Sequence, residues 1–187
     1  MPAPSATATT VADSGVYSRP ARLLHWLVAA LVLTMVPAGL IMVRPGLDRP
    51  LQDTLFIFHK NAGLVVLVLM LLRIGWRIAV PPPPPVPMPR LQAAVAEAVH
   101  GALYVLVLVM ALSGYVRVTA GGFPLELAQS LGLPPLVPRS EPLAATAKAL
   151  HGAVANGLIL AVALHLAGAA HHGLIRRDGL LRRMWPR

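Results

Sequence analysis

Four long apolar stretches constrain the fold of this chain more than any other feature. They run from about residue 23 to 43, 54 to 80, 91 to 120 and 143 to 175. About 20 apolar residues are enough to cross the hydrocarbon core of a bilayer as a helix. Backbone polar groups in lipid must be satisfied within the protein, so each stretch is predicted to be a membrane-spanning helix. The predicted fold class is therefore all-α, an integral membrane four-helix bundle.

Composition agrees with a membrane protein and excludes several kinds of site. Apolar residues make up 56% of the chain and charged residues 12%, which lies outside the usual range of soluble domains. The net charge of +9 would suggest a nucleic-acid partner for a soluble chain, but basic residues also collect at the cytoplasmic ends of membrane helices. No nucleic-acid partner is therefore expected. The absence of cysteine excludes thiolate metal sites, Fe–S clusters and haem attached through C-x-x-C-H.

The chain is predicted to form one domain behind a short tail. Residues 1–17 are small and polar and are predicted to be a disordered tail, and residues 18–187 form the transmembrane domain. The run "PPPPPVPMPR" ends the second span and is predicted to be an extended linker. The segment "GGFPLELAQSLGLPPLVPRSEP" before the fourth span is too broken by glycine and proline to cross the membrane.

Four spans place both termini on the same side of the membrane. That side carries ten of the sixteen Lys and Arg residues, namely Arg19, Arg22, Arg73, Arg77, Arg90, Arg176, Arg177, Arg182, Arg183 and Arg187. The other side carries six, namely Arg44, Arg49, Lys60, Arg117, Arg139 and Lys148. Because cytoplasmic loops are enriched in basic residues, both termini are predicted to be cytoplasmic. The chain is expected to be a multi-pass protein of the bacterial inner membrane, with the lipid bilayer as its first partner.

Five histidines lie within the apolar spans and fall into two layers. Because the helices alternate in direction, His25, His100 and His165 lie towards the inner face, and His59 and His151 lie towards the outer face. Ionisable residues in membrane spans are costly and commonly mark a functional site. The two layers are therefore candidate functional sites.

The spacing of His151 and His165 links these layers. Fourteen residues bring both onto one face of a helix, about 21 Å apart along its axis. Haem b that serves electron transfer takes two axial nitrogens, which imidazoles on facing helices can supply. The predicted pairs of haem axial ligands are His59 with His151 outside and His25 with His165 inside. The spans contain almost no carboxylates, so such pairs suit two haem b groups better than zinc or another multi-ligand metal.

The same interval on the other helices reaches residues that suit a haem. Counting fourteen residues from the remaining histidines leads to Gly39, Gly114 and Arg73. A glycine on the ligand-bearing face removes the side chain that would block a flat macrocycle, and Gly39 and Gly114 are predicted to have this role. Arg73, and Arg77 one turn further, are predicted to pair with a haem propionate.

Three histidines have no partner in this scheme. His100 either hydrogen-bonds a propionate or a quinone, or caps the polar end of its helix. His171 and His172 lie at the membrane surface, where they contact either lipid headgroups or a quinone.

Several segments carry a resemblance to a known family. They are "YSRPARLLHW", "HKNAGLVVLVLMLLRIGWRI", "HGALYVLVLVMALSGYVRV" and "LHGAVANGLILAVALHLAGAAHHGLIRRDGLLRRMWP". Together they cover most of the chain beyond residue 17 and resemble the bacterial cytochrome b561 family, which is related to the cytochrome b subunits of hydrogenases and formate dehydrogenases. The resemblance implies a four-helix cytochrome with two b haems on His25, His59, His151 and His165.

The resemblance also implies a function. The compact length and the "HH…RRDGLLRRMWP" ending look like the stand-alone branch, in which a similar member oxidises superoxide and reduces ubiquinone. The implied partners are a quinone and either superoxide or a periplasmic redox protein. The outer basic residues either draw in an anion or are solvated loop charges. The alternatives are a cytochrome b subunit that docks a dehydrogenase or hydrogenase, and a haem-free helical carrier.

Overall fold

The computed structural model describes residues 15–185, and four long helices dominate it. The helices are α1 (Arg19–Ile41), α2 (Arg49–Ala79), α3 (Arg90–Ala120), the short α4 (Glu126–Ser130) and α5 (Glu141–Ala170). A π-helical turn (His171–Arg176) continues α5, and a 3-10 helix (Leu180–Arg183) follows. The four long helices are long and apolar enough to span a membrane, which confirms the predicted all-α membrane bundle. Most of the predicted tail at 1–17 lies outside the described residues.

Prolines and a serine define where the long helices begin. Pro20, Pro50 and Pro142 occupy the first turn of α1, α2 and α5, where the missing N–H costs no hydrogen bond. At α5 the Ser140 hydroxyl also accepts a hydrogen bond from the Leu143 N–H at 3.4 Å. The helices therefore begin a few residues before the apolar stretches that predict them.

The long helices pack as two pairs. α1 packs along α2, α3 packs along α5, and α2 contacts α3 between the pairs. Within the described residues, α5 has almost no close backbone approach to α1 or α2. The α5 backbone is therefore held away from the backbones of α1 and α2, and side chains, histidines among them, fill the space between.

The apolar core lies at the middle of the bundle. Its buried residues come from all four long helices and are Val28, Val66, Met70, Val107, Ala111 and Leu158. Leu158 lies seven residues from His151 and seven from His165, so the core separates the two predicted histidine layers.

Large apolar side chains cover the outside of the bundle. Exposed examples on each long helix are Leu23, Leu33, Leu71, Leu72, Val105, Leu112, Leu160 and Leu164. A contiguous apolar surface of this kind is unusual in a soluble monomer and is expected of a protein surrounded by lipid.

The two described ends of the chain meet at one end of the bundle. The Tyr17 N–H donates to the carbonyl of Arg183 at 3.1 Å, and the Trp26 indole N–H donates to the carbonyl of Met184 at 2.7 Å. The ends of the described part of the chain therefore lie on the same side of the bundle. This end is called the inner end and the opposite end the outer end, after the predicted orientation.

Candidate functional site

The four predicted ligand histidines form two close pairs, each joining α5 to α1 or to α2. The ring centroids of His59 and His151 are 6.2 Å apart, with an angle of 77° between the ring planes. The centroids of His25 and His165 are also 6.2 Å apart, with an angle of 75°. The first pair is called the outer pair and the second the inner pair. Both pairings are the ones that depth and helical phase predict.

The spacing within each pair suits one metal ion between two imidazoles. A bond from an imidazole nitrogen to a first-row metal is about 2 Å long, and the nitrogen lies about 1 Å from the ring centre, so two such rings need centroids about 6 Å apart. The observed 6.2 Å meets this requirement in both pairs. Each pair could therefore hold one iron ion.

Two glycines let the imidazoles of the outer pair lie close to the helix backbone. A Cβ atom at Gly39 would lie 2.9 Å from Cε1 of His59, and one at Gly114 would lie 3.2 Å from Cε1 of His151. The first distance is shorter than Cβ contacts allow, so a side chain there would displace the imidazole. Both glycines lie at the depth that the fourteen-residue interval predicts, and at each of them an imidazole packs against the backbone where a Cβ atom would otherwise stand.

Hydrogen bonds orient His151 for ligation. Its Nδ1 lies 3.0 Å from the carbonyl oxygen of Met110 and 3.1 Å from Oγ of Ser113. The carbonyl can only accept, so Nδ1 carries the proton and Nε2 keeps the lone pair that a metal needs. Sequence reasoning missed Met110 and Ser113. A serine one residue from Gly114, on an apolar helix, is the signal that could have revealed this contact.

His59 has a different environment. Its Nδ1 is buried, and no hydrogen bond of good geometry satisfies it among residues 15–185. The Met35 carbonyl of α1 is the backbone acceptor available to this imidazole. Because buried polar atoms are usually satisfied, a small rotation of the ring towards this carbonyl is expected.

The inner pair has a third imidazole beside it. The ring centroid of His100 is 5.3 Å from that of His165, so the structure brings His100 into the inner layer without giving it the 6.2 Å spacing of the two pairs. No cluster of three or more His, Asp or Glu residues in the described part of the chain could hold a metal ion.

Two arginines predicted to bind a propionate lie beside this inner layer. Arg73 donates through Nε to the hydroxyl of Tyr104 at 3.0 Å, and its guanidinium lies 5.3 Å from the Tyr104 ring centre. Arg77 lies 5.9 Å from the same ring. Tyr104 lies on α3, one helical turn after His100 of the inner layer. Because both arginines contact Tyr104, they lie on the side of α2 that faces this layer.

Arg22 is a further candidate that sequence reasoning counted only as a topology charge. It is 8% exposed, and its Nη1 donates to the carbonyl of Trp185 at 2.9 Å. Its Nε and the Nη1 of Arg73 are both buried without a partner in residues 15–185. Two unpaired guanidinium nitrogens near the inner pair fit the carboxylates of a haem. The spacing of Arg22 and His25, one turn apart, is the signal that could have found it.

His171 and His172 lie in the π-helical turn at the inner end, with ring centroids 5.7 Å apart. His172 approaches Asp178 and Gln92, with Nδ1 2.6 Å from Oδ2 of Asp178 and Nε2 3.1 Å from Nε2 of Gln92. The structure therefore separates both residues from the two ligand pairs. Sequence reasoning gave His172 no polar partner within the protein.

A polar contact closes the outer end of the bundle next to His59. Lys60 donates to Oε1 of Glu126 at 2.8 Å, and Asn61 donates to Oε2 of the same carboxylate at 2.8 Å. The side-chain oxygen of Asn61 accepts from the N–H of Leu127 at 2.9 Å. These bonds hold α4 against the outer end of α2. Partial burial raises the pKa of the Glu126 carboxyl, but the bonds from Lys60 and Asn61 outweigh it and lower the pKa below its usual value.

Replacing Glu126 by glutamine is expected to loosen α4. Partly exposed ion pairs contribute about 0.2–1 kcal/mol, so hydrogen exchange at the Leu127 amide should quicken by up to about fivefold. Because a lowered pKa stabilises the fold only above that pKa, wild-type protein should show the same loosening as the pH falls below about 4. Amide exchange measured by mass spectrometry tests this, with Glu141→Gln as the control. Equal exchange in Glu126→Gln and wild type would contradict the proposed contact.

The fold and the paired histidines together define a class of protein. A helical membrane bundle that faces imidazoles in pairs, at two depths around an apolar core, is built as a b-type membrane cytochrome. Haem ligation by these four histidines stays a prediction, with which the spacing, the glycines and the unpaired polar atoms agree.

Comparison with known proteins identifies the family. The model of the prokaryotic cytochrome b561 family matches residues 16–187, and the chain belongs to this family. It is 32% identical over 161 residues to the cytochrome b561 homolog 2 of Escherichia coli (strain K12), covering 86% of each chain. It is 30% identical over 165 residues to a protein of Yersinia pestis named probable superoxide oxidase CybB, covering 88% of this chain and 92% of the relative.

Membership confirms two expectations. The family implies haem b binding, and together with four candidate spans it makes the chain a multi-pass protein of the bacterial inner membrane.

Proposed function

We propose that this protein is a di-haem b cytochrome that moves single electrons between an outer-face donor and a quinone, ubiquinone, at the inner end. His59 and His151 hold the outer haem, and His25 and His165 hold the inner haem. The observation that carries the proposal is that both α5 histidines meet a partner imidazole at 6.2 Å. Haem supplies an iron centre that gains and loses one electron at a time.

The residues around the pairs have separate tasks. At the outer pair, Gly39 and Gly114 leave room for the macrocycle, and the Met110 carbonyl fixes the proton of His151 on Nδ1. At the inner pair, Arg22 and Arg73 bind propionate oxygens through their unpaired nitrogens.

Two neighbours of the inner pair have supporting roles. Arg77 places a second positive charge beside Tyr104. His100 lies next to His165 and hydrogen-bonds an oxygen of the group bound there. His171 and His172 contact the quinone.

The apolar core between the pairs keeps water out of the path. Met70 is 2% exposed and Leu158 is 4% exposed. Exclusion of water prevents side reactions and strengthens the electrostatic influence of the surrounding dipoles. The protein would then carry electrons between its two ends without carrying protons through the middle.

Superoxide is the proposed outer donor. Two superoxide anions lose one electron each and become two molecules of dioxygen. One quinone takes those two electrons and two protons and becomes quinol. The name of the Yersinia pestis relative supports this choice. Basic residues at the outer end support it as well, although Lys60 is neutralised by Glu126. The larger basic count at the inner end supports cytoplasmic termini.

Haem stoichiometry tests the cytochrome part of the proposal. The purified protein is expected to show a sharp b-type α band in its reduced-minus-oxidised spectrum and two haems per chain by pyridine haemochrome assay. One haem per chain would contradict the two-pair arrangement. A spectrum without the α band would support a haem-free carrier instead.

Turnover of the isolated chain tests the substrates. Purified protein supplied with a superoxide-generating system and a soluble ubiquinone is expected to form quinol, and superoxide dismutase should abolish the reaction. A chain that is inactive alone, but purifies with a peripheral dehydrogenase or hydrogenase subunit and reduces quinone with it, would favour the docking-subunit alternative.

A further inference from the structure

A histidine and an aspartate form a polar site at the inner end, apart from the two histidine pairs. Nδ1 of His172 lies 2.6 Å from Oδ2 of Asp178, and the His172 side chain is only 12% exposed. The other carboxylate oxygen, Oδ1, accepts from the N–H of Leu180 at 3.1 Å. Asp178 is therefore held from two sides, with one oxygen directed at the imidazole.

The backbone is shaped to bring these two residues together. The chain leaves α5 through a π-helical turn, a structure that is rare and frequently found at functional sites. Arg177 then adopts a left-handed conformation with φ of 50°, and Gly179 follows with φ of 77°. A left-handed conformation is uncommon for a residue with a side chain. The tight reversal between these two residues turns Asp178 back towards His172.

Contacts of Gln92 determine which nitrogen of His172 carries the proton. Nη1 of Arg176 donates to Oε1 of Gln92 at 3.1 Å, so the amide NH2 group of Gln92 is directed at Nε2 of His172, 3.1 Å away. An amide NH2 can only donate, and a carboxylate can only accept. Nδ1 therefore carries the proton towards Asp178, and Nε2 is an unprotonated acceptor.

Protonation would rearrange this site. When Nε2 gains a proton it becomes a donor, and the NH2 group of Gln92 can no longer hydrogen-bond to it. Gln92 must then turn away, which leaves the new N–H free for another acceptor. The hydrogen bond from His172 lowers the pKa of the Asp178 carboxyl, so the carboxylate stays charged at neutral pH and stabilises the imidazolium.

His172 borders solvent at the inner end. A surface cavity of about 450 Å³, lined by His172, Asp178, Arg177 and Arg182 among others, opens the site to solvent. His172 follows His165 by seven residues, which places it about 10 Å nearer the inner end along the helix. His172 is therefore the histidine of this helix that can take up protons from inner-face water.

We propose that His172, held by Asp178 and Gln92, is the proton donor to the quinone that is reduced at the inner end. This proposal rests on the proposed function, which supplies the quinone and its two electrons. In each transfer the Nε2–H bond breaks and an O–H bond forms on a quinone oxygen. His172 is left neutral and takes a new proton from inner-face water, and two such transfers complete one quinol.

Nitrogen NMR of the quinone-free holoprotein tests the protonation state directly. In protein labelled with ¹⁵N-histidine at mildly alkaline pH, the signal of His172, identified by its loss in His172→Gln, is expected to show a protonated Nδ1 and an unprotonated Nε2. A protonated Nε2 in the neutral ring would overturn the proposed arrangement. This measurement does not depend on turnover.

Kinetics of quinol formation test the proton role. Asp178→Asn is expected to slow quinol formation on the order of a hundredfold, which is the lower range for loss of a general acid. Haem content and the rate of haem reduction by the outer donor should stay as in wild type. Glu97→Gln removes an exposed acid of α3 at the same end and should leave quinol formation unchanged.

The outcomes separate the two proposals. A wild-type rate of quinol formation in Asp178→Asn would overturn the proton role alone. A wild-type protein that forms no quinol would contradict the proposed function whatever the NMR result.

Discussion

Replacing His151 by leucine is expected to remove the low-spin outer haem and leave the inner haem in place. Leucine fills a similar volume but offers no nitrogen, and the partner imidazole of His59 then has nothing 6.2 Å away to complete the iron coordination. Leu158 and the rest of the apolar core separate the inner pair from the change. Low-spin haem per chain should therefore fall to about half in low-temperature spectra, and a pyridine haemochrome assay, which counts total haem, shows whether the outer haem is also lost.

Symmetry between the two ligands provides the controls for this prediction. His59→Leu should give the same spectrum as His151→Leu, because either change leaves one imidazole in the outer pair. His171→Gln removes a histidine that belongs to neither pair and should keep two haems per chain. Two low-spin haems in His151→Leu would rule out His151 as an axial ligand. If His151→Leu fails to fold and loses both haems, the milder change Ser113→Ala can be measured instead. Ser113 contacts Nδ1 of His151, so this variant should shift the spectrum of the outer haem alone.

The second large effect is expected from filling the space at Gly39. A Cβ atom there lies 2.9 Å from the His59 ring, and a leucine would extend further into the place of the macrocycle. Helix propensity favours leucine over glycine by up to about 1 kcal/mol, so α1 itself should not be weakened. Gly39→Leu should therefore accumulate in the membrane as wild type does, with the outer haem largely absent. Haem quantitation together with membrane yield measures both parts.

Other glycines of the same bundle are matched controls for Gly39. Gly75 on α2 and Gly101 on α3 have nothing within 4 Å of a built Cβ, so leucine at either position should keep two haems. Gly114→Leu should behave as Gly39→Leu, because its Cβ would lie 3.2 Å from the His151 ring. Full outer haem in Gly39→Leu would show that the macrocycle does not occupy that space.

The spans were predictable because a membrane-spanning helix must be apolar and about 20 residues long, and both properties can be read from the sequence. The first span was predicted at 23–43, and the observed helix is Arg19–Ile41. The last span was predicted at 143–175, and the observed helix is Glu141–Ala170 with the π-helical turn that follows it. The differences lie at the ends, where prolines begin the helices before the apolar stretch does. The π-helical form of the last turn was not predictable, because nothing in "HHGLIR" distinguishes it from an α-helix.

The histidine pairs were predictable for a related reason. Within one helix, a fixed rise and rotation per residue convert a count of fourteen into a face and a depth. Four alternating spans then leave one economical pairing, and the structure has it. Gly39 and Gly114 follow from the same count, and both lie against the outer pair.

Contacts between distant residues were not predictable in this way. Arg22 meets the carbonyl of Trp185, which is 163 positions further along the chain, and His172 meets the side chain of Gln92, which is 80 positions earlier. Helical phase places neither pair together, because it says nothing about how one helix is rotated against another or where a loop returns.

The sequence by itself determined the class of fold, the number of spans and the depth and face of each histidine, because these depend only on hydropathy and on the regular geometry of single helices. The tertiary structure alone decided the 6.2 Å spacing of the pairs, the separation of the α5 backbone from α1 and α2, and the polar contacts of Glu126, His151 and His172. Those features depend on interhelical packing. Side chains that are far apart in the sequence determine the distance between neighbouring helices and the rotation of each helix relative to the next.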